Sequence, residues 1–67
     1  MEFMVIQRLS DGKFLKCTGG FEFVEDIRIA AMYSNEDVAQ HMAKLCTARN
    51  HASQVLYVTF AISNVKG

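Results

Sequence analysis

One stretch of this sequence repeats apolar residues at the spacing of an α-helix, and it governs what the rest of the chain can be. From Val38 through Ala39, Met42, Leu45 and Cys46 to Arg49, steps of three and four residues draw a single stripe. Gln40, Lys44 and Thr47 are left toward water. A lone amphipathic helix has no second helix to cover that stripe, so it needs a sheet to lie on. Its start is marked by Ser34, which reads as an N-cap with Asp37 as a capping-box partner. Glu36 and Asp37 both favour the positive end of the helix dipole. Residues 49–53 end the helix, and Asn50 is suited to left-handed geometry there.

The sheet must come from the segments on either side. Phe3, Val5 and Leu9 alternate with Met4, Ile6 and Arg8 in a first strand that is apolar on both sides at its start, which suits an inner position. Ser10-Asp11-Gly12 is a turn tripeptide, and residues 13–17 resume as the second strand of a hairpin. Thr18-Gly19-Gly20 breaks the chain before a short third strand or extended loop at residues 21–24. Asp26-Ile27 followed by Ala30 reads as one helical turn leading into a short extended stretch. Residues 54–63 form the last strand, in which Leu56, Val58, Phe60 and Ile62 make the face expected to meet the helix. The expected fold is α+β: a small antiparallel sheet of three to four strands packed on one helix, in a single domain over residues 1–67.

A chain of 67 residues buries only about 60% of the surface its unfolded form exposes, so it has little stability to spare. Small domains often gain support from disulfides, a metal or a partner subunit. Cys17 and Cys46 are too sparse for a disulfide scaffold, and nothing near Met1 reads as a signal peptide, so a reducing, cytoplasmic compartment is expected. Gln7 and Arg8 end the first apolar run long before a membrane-spanning length. At 51% hydrophobic residues, the chain has more apolar surface than so small a body can hide. Self-association or a protein partner follows as an expectation, with Met4, Ile6 and Tyr57 as the self-association residues.

A formal net charge of zero removes the basic field that nucleic-acid binding needs. The charge is uneven, however. Glu22, Glu25, Asp26, Glu36 and Asp37 face only Arg28 within residues 22–37. They either form an acidic partner-binding face or sit separately at turns and at a helix start. Phe14, Phe21, Phe23 and Tyr57 near Lys13, Lys16 and Arg8 invite comparison with sheet-based RNA binders, but the sequence motif of those folds is absent and nearby carboxylates repel phosphate.

The remaining constellations give no chemistry. His41, Cys46 and His51 are five apart, so each turns about 140° around a helix from the last and they share no face for zinc. No close ligand pair such as C-x2-C exists. Neither cysteine reads as a nucleophile beside a base, and Gly19-Gly20 lacks the Lys-Ser/Thr and following helix of a phosphate loop. No catalytic residue, metal, cofactor or small-molecule substrate is expected.

Asp11-Gly12-Lys13-Phe14-Leu15-Lys16 and the segment Asp26-Ile27-x-x-Ala30-x-x-Tyr33-Ser34-x-Glu36-x-x-Ala39 together resemble a pattern of small bacteriophage and prophage proteins of unknown function. In those, a strand-turn-strand of the form DGKYLK precedes a DI..A..FS..E.A segment, a helix and one final strand. The motif is built of a turn, a helical step and a cap, so it speaks to fold and origin more than to activity. The resemblance implies a non-enzymatic accessory protein inside an infected host, where such proteins often bind and block machines including CRISPR effectors and RNA polymerase, or are dispensable with no assigned role.

Overall fold

A computed structural model describes residues 2–17 and 20–59. In chain order these form β1 (Glu2–Arg8), β2 (Phe14–Cys17), β3 (Phe21–Val24), a 3-10 turn (Ile27–Ile29), α1 (Glu36–Ala48) and β4 (Ser53–Thr59). The four strands make one sheet in the order β3-β2-β1-β4, with every neighbouring pair antiparallel. The expected α+β architecture is therefore the observed one, with β1 inside the sheet and the last strand beside it.

The turn chemistry accounts for the hairpin. Gly12 takes a φ of +75°, and Asp11 accepts a hydrogen bond from the Lys13 backbone N–H through Oδ1 at 3.1 Å. A side-chain turn of this kind lets the chain reverse between Arg8 and Lys13, whose backbone groups bond at 2.7 Å. After the Gln7 and Phe14 pair the two strands part. The extended stretch that follows the 3-10 turn fills the gap: Tyr33 exchanges both backbone hydrogen bonds with Met4 at 2.8 Å, and the Ala31 N–H reaches the Leu15 carbonyl at 2.9 Å. The helical turn and extended stretch read from residues 26–33 are both present. Their insertion between β1 and β2 satisfies backbone groups that the parted strands would otherwise leave unpaired.

The helix start differs from expectation by one residue. Asn35, not Ser34, is the N-cap, and its side-chain oxygen accepts from the N–H groups of Asp37 and Val38 at 2.9 and 3.3 Å. Asparagine caps at least as well as serine, so adjacent candidates are not separable by type. At the other end Asn50 has a φ of +69°, the left-handed residue foreseen there.

The core lies between α1 and the sheet. Met4, Ile6 and Leu15 are buried against Ala39, Ala43 and Cys46, with Phe21, Phe23, Tyr33, Met42 and Val55 packed around them. The buried row of α1 is thus Ala39, Ala43 and Cys46, while Val38 and Leu45 are 47% and 37% exposed. The row is turned about 70° from the stripe that the apolar spacing draws, at about 100° per residue. The helix seats its smallest side chains because they allow the closest approach to the large residues of the sheet, and dispersion falls steeply with any gap.

Two further expectations are overturned here. Residues paired across an antiparallel ladder point to the same face, and the ladder pairs Met4 with Tyr57 and Ile6 with Val55. The β4 face toward the helix is therefore that of Val55, while Leu56 and Val58 lie on the opposite face with Val5 and Phe3. Both parities of β1 and β4 are apolar, so alternation had no power to choose between them. Met4 and Ile6, expected to mediate self-association, are spent inside the monomer under α1, whereas Tyr57 remains 54% exposed. Phe60 and Ile62, and the side chain of Cys17, lie outside the described residues.

The seating of α1 is testable by substitution. Ala39→Leu should lower stability by about 1–3 kcal/mol through overpacking, while Val38→Ala should change it by less than about 0.5 kcal/mol. Urea unfolding of both variants checks this. The reverse order of effects would mean that the wider apolar stripe faces the sheet.

Candidate functional site

The five carboxylates of residues 22–37 do not share one face. Glu22 stands opposite Lys16 in the β2–β3 register, on the side of the sheet away from α1, because its neighbours Phe21 and Phe23 pack toward the helix. Asp26 is claimed by Arg28, which donates from Nε and Nη2 at 3.0 and 2.9 Å, and these bonds hold its carboxyl below the ordinary value. Glu25 is exposed just after β3, and Glu36 and Asp37 are exposed in the first turn of α1, in the other layer. Counting charge along the chain cannot see which side of a sheet each residue takes.

The exposed flank of α1 is a different kind of surface. Val38, Met42 and Leu45 recur at four and three residues, so they line up along one side of the helix. Because α1 packs on β1 and β4, it sits off the centre of the sheet. The flank carrying Val38 and Leu45 faces the β2–β3 half, as the contact of Arg49 with Phe21 on that side confirms. Phe21, at the floor of this shelf, is half-buried and has the Arg49 guanidinium over its ring at 5.1 Å. The result is a shallow apolar ledge bordered by one cation.

Arg8 closes the neighbouring end of the molecule. Its Nε donates to Asp11 Oδ1 at 3.0 Å, its Nη2 donates to Asp11 Oδ2, and its Nη1 lies 3.1 Å from His51 Nδ1. A guanidinium can only donate, so His51 Nδ1 accepts and the ring proton is assigned to Nε2. The same guanidinium lies 4.2 Å from the Phe23 ring centroid, and the Phe23 and His51 rings are 5.1 Å apart. Four segments, namely β1, the hairpin turn, β3 and the chain after α1, are tied together here. All three nitrogens of Arg8 are engaged, so this cluster is a clasp and not an anion site.

Phe21 and Phe23, considered from sequence as base-stacking residues, thus have arginines over their rings and their other sides toward the core. Cys46 is fully buried, His41 is exposed, and His51 is bound to Arg8, so the three residues weighed as zinc ligands are dispersed. Among the described residues no group of three or more His, Cys, Asp or Glu is placed to hold a metal ion. None of their helices is long and apolar enough to cross a membrane. Sequence reading did not foresee the Val38–Leu45 ledge as a surface. The signal was present, since the apolar arc of α1 is wider than one contact with a sheet can cover.

Comparison of the chain with family models, with curated proteins and with solved structures found no match in any of the three.

The clasp has a pH signature. Hydrogen bonds from Arg8 hold the Asp11 carboxyl down to about 2, below the ordinary carboxylate value. A depressed carboxyl contributes stability above its unfolded value of about 4 and loses it as pH falls through its folded value. The wild type should therefore lose this contribution between about pH 4 and pH 2, and Asp11→Asn should flatten the acid dependence across that window. Circular dichroism during acid titration checks it. An unchanged slope in the variant would show that Arg8 and Asp11 are not paired in solution.

Proposed function

We propose that this chain is a non-enzymatic accessory protein that acts by binding another protein. In the setting that the phage-type motifs imply, it is an inhibitor or modulator of a machine in the host cytoplasm. The observation that carries the reading is the ledge on α1: a 67-residue chain short of core places alanines against its sheet and leaves Val38 and Leu45 outside. Apolar anchors at helical spacing are the means by which a helix occupies a groove on a partner. Exposed Glu36 and Asp37 at the start of the same helix add charge that would select a groove with a basic rim. The acidic contribution to binding is thus narrowed from five residues to the pair that shares an element with the apolar anchors.

Fully burying a valine or leucine stabilises by about 1.5–3 kcal/mol, so losing two anchors should weaken a complex at least tenfold. Immobilised wild type and a Val38→Lys, Leu45→Lys double variant, matched for folding by circular dichroism, are to be compared in host-cell lysate. The wild type should capture a partner that the double variant loses. Identical captured sets would contradict the reading, and loss on Glu36→Lys with Asp37→Lys alone would assign recognition to charge in place of the apolar row.

A further inference from the structure

The two edges of the sheet are unlike. The β3 edge is four residues long and carries Glu22, and short charged edges resist pairing with other strands. The β4 edge is seven residues long, Ser53–Thr59, and contains neither a charged residue nor a proline. Among the described residues no strand lies beside it. Along this edge runs a groove of about 560 Å³ between α1 and β4, lined by Gln40, Ala43, Lys44, Thr47 and Val55 among others. It lies on the flank of α1 away from the Val38–Leu45 ledge.

We infer that the occupant of this edge is a second copy of the chain, paired antiparallel through β4 across a two-fold axis at Leu56. That register sets Val55 against Tyr57 and overlaps the seven described residues of the strand. It sets each residue against one of the same parity, so Ser53, Val55, Tyr57 and Thr59 meet their counterparts on the helix side. Val55 of one copy then faces Tyr57 of the other. Tyr57, 54% exposed in the monomer, then enters the partner's groove, which Val55 helps to line. An aromatic opposite a β-branched residue is a favourable cross-strand pair, and each dimer makes it twice.

The helices fit the same arrangement. Strands are about 4.8 Å apart, and α1 packs on β1 and β4, so its axis lies about 5 Å from the two-fold. The two copies of α1 then run antiparallel about 10 Å apart, which is an ordinary helix packing distance. A strand edge alone is too narrow for a specific interface. With the helix layer added, the contact is about 20 Å long and roughly 20 Å deep. The two copies together lose on the order of 1,000 Å², the lower bound for a specific interface. Lys44, the charged residue named in the groove, is exposed and keeps its ammonium toward water.

Light scattering after size exclusion, over a dilution series of the whole chain, should give a dimer at about 100 µM. Tyr57→Lys should shift dissociation to at least tenfold higher concentration. In a Cys17→Ser background, Leu56→Cys stands on the axis and should form an interchain disulfide under mild oxidation. Gln54→Cys, whose two copies lie about 14 Å apart at about 3.4 Å per residue, should not. A monomer at 100 µM overturns the inference and leaves the edge open to a strand of a different protein. So does a dimer unaffected by Tyr57→Lys, or equal cross-linking of the two cysteine variants. The Val38→Lys, Leu45→Lys variant should dimerise normally, so this result and the partner-capture result can fail independently.

Discussion

Everything in this molecule depends on the contact between the alanine row of α1 and three large residues of the sheet, Met4, Ile6 and Leu15. Ala39, Ala43 and Cys46 let the helix come close enough for those side chains to be sealed from water. So small a core leaves a narrow margin over chain entropy, and the remaining structure reads as reinforcement of it. The stretch around Tyr33 locks β1 from one side, β4 from the other, and Arg8 clasps the open end of the hairpin to β3 and to the chain leaving α1.

Seating the small side of the helix has a consequence at the surface. The apolar arc of α1 is wider than its contact with the sheet, so turning alanines inward turns Val38 and Leu45 outward. The same economy operates at β4, where Val55 serves the core while Tyr57, two residues on and on the same face, stays more than half exposed. Exposed apolar side chains therefore stand on both flanks of one helix, in addition to Leu9, Ile29 and Met32 elsewhere. One flank offers separate side chains for a groove, and the other offers a strand edge with a cleft beside it.

Much of the fold was legible in local chemistry. The Ser10-Asp11-Gly12 turn, the 3-10 turn after Asp26 and the left-handed Asn50 each follow from what a single residue type can do with its own backbone. The helix and three of the strands were read from the sequence, while residues 21–24, open there between strand and extended loop, form β3. What escaped was every choice between two equally apolar sides. Alternation could not say that Val55 and not Leu56 meets the helix, nor could spacing say that alanines and not Val38 do. Long-range placements also escaped: the wedge of residues 31–33 between β1 and β2 and the meeting of Arg8 with His51 depend on pairings between distant segments. For the candidate site, the sequence revealed the apolar excess and the acidic residues but not their positions, because the sheet divides Glu22 from Glu36 and Asp37.

The most direct test of the helix seating is thiol accessibility along α1 in a Cys17→Ser background. With Cys46 fully buried and Leu45 partly exposed, the native thiol should react with an aromatic disulfide reagent roughly 100-fold or more slowly in the folded protein than in denaturant. A cysteine at position 45, with Cys46 changed to Ala, should react almost as fast folded as unfolded. Rapid reaction of Cys46 together with protection at position 45 would place the other side of the helix against the sheet and contradict the account.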